Sequence, residues 1–124
     1  MTDIACVQNL YNVMHRDDDA LIDELARADI PYIAYFPLGG FAQMQSFTLS
    51  QIAQRLGATP MQVALGWLLQ RSSNILPIPG TSSLKHLREN IAAPLLHLPP
   101  SALEELAILN QSQASGANYE IDRL

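Results

Sequence analysis

Three short runs of apolar residues, each followed by segments with helical spacing, constrain this chain more than any other feature. Ile4, Ala5, Cys6 and Val7 form the first run, Tyr32 to Phe36 (YIAYF) after Pro31 the second, and Ile75 to Ile78 (ILPI) the third. None alternates polar with apolar residues, a pattern expected of strands covered on both faces. Pro37-Leu38-Gly39-Gly40 breaks the second run in a loop, and Pro77 makes the third short, bulged or an edge, because proline brings no N–H to a ladder.

The segments between carry helix grammar. Asp17, Asp18 and Asp19 stand ahead of Leu21, Ile22 and Leu25, where a helix start favours negative charge, and this helix should cap itself there and end near Asp29. Thr48-Leu49-Ser50-Gln51 reads as a capping box before a face of Leu49, Ile52, Ala53 and Leu56, with Gly57 as the stop. Thr59-Pro60-Met61-Gln62 repeats the grammar ahead of Met61, Ala64, Leu65 and Leu68. A fourth helix starts after Ser82-Ser83 with Leu84, Leu87 and Ile91 on one side. A fifth opens at Ser101 with Glu104, and Leu103, Leu106 and Ala107 should face inward. Residues 1–110 form one unit, and the polar stretch 111–124 reads as a tail.

Strand, helix, strand, two helices, strand, two helices is the order of an α/β protein with right-handed crossovers and a parallel sheet. Three strands make a poor sheet alone, since both outer strands leave backbone groups unpaired. The order therefore points to part of a larger sheet, or to pairing with another chain.

Function classes narrow quickly. Seven Lys and Arg in a chain of net charge −5 give no basic footprint for nucleic acid. No apolar run approaches the roughly 20 residues that span a bilayer. Met1-Thr2-Asp3 is not a basic, hydrophobic leader, and a lone Cys6 suits a reducing cytoplasm. The aspartate triplet lacks the glycine and closing glutamate of a calcium loop, and His15, His86 and His97 have no metal-ligand spacing, so no metal is expected. Neither a nucleophile elbow nor a phosphate-binding Gly-Lys-Thr/Ser loop is present.

Ligands of parallel sheets sit beyond the carboxyl ends of the strands, which directs attention to three segments. Gln8 follows the first run, and its amide can bond another amide. Tyr35 ends the second and can stack a flat ring. After the third, Gly80 lets a ligand approach the backbone, while Thr81, Ser82 and Ser83 offer hydroxyls and amides at a helix start. Lys85, His86, Arg88, Glu89 and Asn90 lie just beyond. Each feature also has a plain structural reading: a serine that caps, a strand aromatic in the core, a glutamine satisfied by a loop.

Together, VQNLYN (Val7 to Asn12), IAYFPLGG (Ile33 to Gly40) and IPGTSSLKHLREN (Ile78 to Asn90) resemble the aldo-keto reductases in order and spacing. The resemblance implies the sixth to eighth strand–helix units of a TIM (β/α)8 barrel, the C-terminal and incomplete portion of an enzyme that binds NADPH and reduces carbonyls. It implies that Gln8 bonds the nicotinamide carboxamide and Tyr35 stacks on its ring. It further implies that Phe36, Pro37, Leu38 and Gly39 run beside the pyrophosphate and that Thr81, Ser82 and Ser83 lie at the adenosine 2′-phosphate, with Gly80 counted among the cofactor-binding residues because it lets the backbone approach the ligand. His86 stands where the family often carries arginine, a departure that weakens the phosphate grip, and the resemblance implies that Glu89 and Asn90 hold the adenine. The family's Asp, Tyr, Lys and His tetrad belongs to units ahead of this sequence, so no catalytic residue is assigned and the chain is expected to be inactive alone. The alternatives are a non-catalytic module pairing through its sheet edges, with the N-terminal half or a second copy, and an unstable remnant of a truncated gene.

Overall fold

The computed structural model describes residues 3–35, 37 and 46–108. Phe36, Leu38, Gly39 and the tail 111–124 lie outside the described residues. Element order is β1 (Val7–Leu10), α1 (Asp19–Arg27), β2 (Tyr32–Tyr35), α2 (Phe47–Leu56), α3 (Pro60–Arg71), β3 (Ile75–Pro77) and α4 (Leu84–Ala92). A 3-10 turn over Ala93–Leu95 follows, and residues 100–108 form the last helix, α5. The strands make one parallel sheet in the order β1-β2-β3, in which Val7 faces Tyr32 and Tyr32 faces Ile75.

Local rules set most helix ends. Thr59 caps α3 through a complete capping box, its hydroxyl accepting from the Gln62 N–H while the Gln62 side chain accepts from the Thr59 N–H. Gly57 ends α2 at φ 65°, a left-handed conformation that glycine adopts without steric cost. At the other end of α2 the cap is Ser46, whose hydroxyl accepts from the Leu49 N–H, so the helix begins ahead of the Thr48 box expected from the sequence. Thr48 lies inside the first turn, where no helix terminus remains for it to cap.

The first strand is also displaced. It runs from Val7 to Leu10 rather than from Ile4, because β2, its ladder partner among the described residues, begins at Tyr32 opposite Val7. Ile4, Ala5 and Cys6 precede the ladder and are exposed. The strands are covered on one face, not two. Tyr32, Ala34 and Ile75 point toward the helices and are buried, whereas Gln8, Tyr35 and Leu76 on the opposite face are exposed. Three strands cannot curl far enough to cover their own inner face.

The core lies between the sheet and the helices and gathers Ile22, Tyr32, Leu49, Ile52, Val63, Leu68, Leu98 and Leu106. From α5, Ala102 and Leu106 enter this core and Leu103 packs at its margin, while Ala107 is exposed rather than inward. The expected stripe on α4 is outside the core too: α4 has no buried residue, and Leu84, Leu87 and Ile91 are exposed. As Pro77 implied, β3 is a three-residue edge strand.

Candidate functional site

In a parallel sheet all carboxyl ends lie at one end, so the segments that follow β1, β2 and β3 are neighbours by topology. The register refines this. Leu10 pairs with Tyr35, and the Ile78 N–H donates to the Ala34 carbonyl at 3.2 Å, so β3 delivers Pro79-Gly80-Thr81 just past the level of Tyr35. Gln8 pairs with Ile33, two residues below the end of β1, and is therefore within the strand rather than after it. Paired residues share a face, and side chains two apart along a strand do as well. Gln8 and Tyr35 thus stand on the same, uncovered face, diagonal to each other, with Tyr35 41% exposed. An aromatic ring in a strand is usually core; this one is open. Pro37 is buried in a turn.

The loop after β3 is built by its own hydroxyls. Thr81 Oγ1 accepts from the Ser83 N–H at 3.1 Å, and Ser83 Oγ caps α4 by accepting from the His86 N–H at 3.3 Å. The capping reading of this segment is therefore correct for Ser83, while each hydroxyl still has its own proton to donate. Ser82 is exposed. A Cβ built on Gly80 meets nothing within 4 Å, so no contact inside the chain demands glycine there. His86, Glu89 and Asn90 are half-buried on the side of α4 that packs toward α3, where Gln62 Nε2 donates to the Glu89 carbonyl at 3.0 Å. Beside that bond, Asn90 Oδ1 is buried without a hydrogen-bond partner. Leaving such an acceptor unpaired costs about 1–3 kcal/mol, and a donor from a bound molecule removes that cost.

The aspartate triplet does something other than cap α1. Asp18 stands at the N-cap position but makes no side-chain cap bond. Its carboxylate instead accepts from Asn9 Nδ2 at 2.8 Å and from the Tyr32 hydroxyl at 2.7 Å, joining β1, β2 and α1. Asp19 accepts from the Tyr11 hydroxyl and pairs with Arg71, which also holds Asp23 at 2.9 Å. Tyr11 stacks on Trp67, and Arg16 lies 4.3 Å over the Trp67 ring while donating to the Leu106 carbonyl at 2.8 Å. Burial first, then the hydrogen bonds to Asp19 and Asp18, raises the Tyr11 and Tyr32 phenols far above their ordinary values. The Arg71 guanidinium holds the Asp23 carboxyl below its ordinary value. This network fixes the exit of β1, and so the strand carrying Gln8, against the helices. Sequence spacing could not show it, because its members meet only once β1 and β2 are paired.

Among the described residues, neither of two open pockets is lined by the expected residues. One cavity of about 480 Å³ is lined by Gln51, Gln54 and Arg55 on α2, and another of about 380 Å³ lies at the amino ends of the strands beside Asp29, Ser73 and Asn74. The candidate site is instead an open surface running from Gln8 and Tyr35 to the loop after β3. Among the described residues no group of three His, Cys, Asp or Glu is placed to hold a metal ion, and no helix is long and apolar enough to cross a membrane.

Residues 1–111 match the family model described as "Aldo/keto reductase family". Over 106 residues the chain is 63% identical to the pyridoxine 4-dehydrogenase of Escherichia coli K12, covering 86% of the chain and 37% of that protein. It is 35% identical over 104 residues to an uncharacterized oxidoreductase of Schizosaccharomyces pombe, covering 83% of the chain and 34% of that protein. Among solved structures, an aldo-keto reductase from Klebsiella pneumoniae in complex with NADPH superposes with a TM-score of 0.79 at 27% identity, over 86% of this chain and 39% of that one. The thermostable aldo-keto reductase Tm1743, bound to the inhibitor epalrestat, superposes with a TM-score of 0.73 at 33% identity, over 88% and 40% of the two chains. The chain thus spans little more than a third of the length of these curated relatives, and its three-stranded sheet corresponds to part of their barrels.

Proposed function

The chain belongs to the aldo/keto reductase family, an oxidoreductase family, and we propose that it is the part of an NADPH-dependent carbonyl reductase that grips the cofactor. The observation that carries the reading is the placement of Gln8 and Tyr35 on one open sheet face, at the end of the sheet where the Gly80–Asn90 segment follows β3. In this reading Gln8 bonds the carboxamide, Tyr35 stacks on the nicotinamide, and Phe36, Pro37, Leu38 and Gly39 run beside the pyrophosphate. Gly80 leaves room for phosphate oxygens, to which Thr81, Ser82 and Ser83 donate. Glu89 and Asn90 hold the adenine, and the unpaired Asn90 Oδ1 suits an exocyclic amine donor. When bound, the cofactor supplies hydride.

Solved aldo-keto reductases from Klebsiella pneumoniae in complex with NADPH or NADP, 27% identical to this chain, support the choice of cofactor. His86 tempers the selection of NADPH over NADH, because imidazole lacks the permanent charge and two-pronged geometry of guanidinium. No described residue is assigned the role of proton donor to a nascent alkoxide; in this reading that group comes from the preceding barrel units. In this reading the protein works in the cytoplasm, a compartment that suits its lone, exposed Cys6.

The experiment is to mix the purified 124-residue chain with NADPH and pyridoxal, an aldehyde chosen from the name of the 63%-identical relative. Binding that enhances NADPH fluorescence, without loss of nicotinamide absorbance, is expected. Turnover would show that an acid is present in this chain, and absence of binding would remove the cofactor assignment.

A further inference from the structure

Proline shapes the last turn of α4. Pro94 has no N–H, so the Asn90 carbonyl lacks the donor that a continuing α-helix would bring it. The Ala93 N–H bonds the Asn90 carbonyl instead, and the chain tightens into the 3-10 turn Ala93–Leu95. The Glu89 carbonyl thereby loses the Ala93 N–H, its α-helical donor. Gln62 replaces that donor from α3, its Nε2 donating to the Glu89 carbonyl at 3.0 Å.

The other end of the same amide is fixed too. Gln62 Oε1 accepts from the Thr59 N–H at 3.0 Å, within the capping box of α3. One partner is a donor and the other an acceptor, so a single orientation of the amide serves both. A glutamate would complete the box as well as glutamine does, so capping alone does not call for the Nε2 donor. The bond to α4 does. The carbonyl it reaches belongs to the peptide group joining Glu89 to Asn90, and beside it Asn90 Oδ1 is buried with no hydrogen-bond partner. An unpaired acceptor held at a fixed place selects for a ligand that brings it a donor.

We infer that Gln62 is a positioning residue for nucleotide recognition: anchored to the α3 cap through Oε1, it holds the Glu89–Asn90 peptide through Nε2 and so sets Asn90 Oδ1 to receive an amine of the base. Gln62 acts through α4 and is not itself a ligand contact. The inference rests on the cofactor reading proposed above for Glu89 and Asn90, and adds to it the residue that determines discrimination among bases.

Gln62→Glu separates the two duties. A carboxylate still accepts from the Thr59 N–H, but at about pH 8 it brings no donor to the Glu89 carbonyl. The 124-residue chain is titrated with NADPH and with its hypoxanthine analogue, in which a carbonyl replaces the exocyclic amine of adenine. Nicotinamide fluorescence, common to both, reports binding. The natural chain should prefer NADPH about tenfold, the worth of one hydrogen bond to an acceptor otherwise unpaired. Gln62→Glu should cut that preference to about twofold or less, chiefly by weakening NADPH. Thr59→Ala is the control: it removes the cap hydroxyl and lowers the urea midpoint but keeps the Gln62 amide, so the preference should stay about tenfold. A general loss of stability weakens both ligands alike and leaves their ratio unmoved. Preference kept in Gln62→Glu, or lost equally in Thr59→Ala, overturns the inference while the cofactor reading stands. A natural chain that binds both nucleotides alike overturns it through Asn90, and one that binds neither removes the cofactor reading and the inference together. Should Gln62→Glu lose the Trp67 emission of the folded chain, the isotopically labelled natural chain decides. Side-chain amide resonances of Gln62 must then shift with those of Asn90, at one dissociation constant, on addition of adenosine 2′,5′-bisphosphate, and Gln62 resonances that stay in place refute the inference.

Discussion

Replacing Tyr32 by phenylalanine separates the packing of the ring from the bond its hydroxyl makes. The ring is fully buried, and its hydroxyl donates to Asp18 at 2.7 Å. A bond to a charged acceptor contributes about 1.5–3 kcal/mol net, and Asp18 keeps its second donor, Asn9, so Tyr32→Phe should cost about 1.5 kcal/mol at pH 7. The alkaline behaviour is more diagnostic. Burial and the Asp18 bond raise the folded-state phenol pKa, so above the ordinary value near ~10 the unfolded chain releases a proton that the folded chain keeps. The unfolded state then binds fewer protons, and stability falls with rising pH by about 1.4 kcal/mol per pH unit for each shielded phenol. The natural chain carries two, Tyr11 and Tyr32, and the variant one. The gap of about 1.5 kcal/mol at pH 7 should therefore close by about pH 11. Urea unfolding followed by the emission of Trp67, the single tryptophan, measures both chains across this range. Parallel stability curves with an unchanged gap would refute the argument that the phenol is shielded.

Gly66 is buried in α3, and a Cβ there meets Leu96 at 3.7 Å, ordinary contact, so Gly66→Ala should raise stability by about 0.5–1 kcal/mol in the same unfolding assay. A loss would show that Leu96 cannot accept the methyl group. Thr59→Ala removes the hydroxyl of the α3 capping box and should cost about 1 kcal/mol; an unchanged urea midpoint would remove the box as a contributor. His86→Arg should shift the NADPH-to-NADH affinity ratio about tenfold toward NADPH, measured by fluorescence titration, since guanidinium brings a permanent charge and a two-pronged donor geometry that imidazole lacks. An unchanged ratio would place the 2′-phosphate elsewhere.

What the sequence reveals follows the range of the forces involved. Thr59 with Gln62, Gly57 and Ser83 are legible because capping acts within four residues, and Pro77 marks an edge strand because it lacks a donor wherever it stands. The start of β1 is not legible, because Val7 becomes the first strand residue only when Tyr32 stands opposite it. Asp18 reads as a cap by position, yet its carboxylate is drawn to Asn9 and Tyr32, which the sheet brings within reach. The α4 stripe is a different case: spacing identifies Leu84, Leu87 and Ile91 as side chains suited to burial, but burial depends on a neighbour that the pattern cannot supply. For the site, motif order found Tyr35 and the Gly80 loop at one sheet end. It did not show that Gln8 lies inside its strand, or that Asn90 holds an unsatisfied acceptor.

The account turns on one elongated molecule lying across the open sheet face and the loop after β3. Titrating NADPH into the isotopically labelled chain and following its amide resonances tests this residue by residue. Shifts at Gln8, Tyr35 and the Gly80 to Asn90 segment that saturate together with a single dissociation constant are the predicted result. Shifts confined to Asp29, Ser73 and Asn74 at the amino ends of the strands would contradict it.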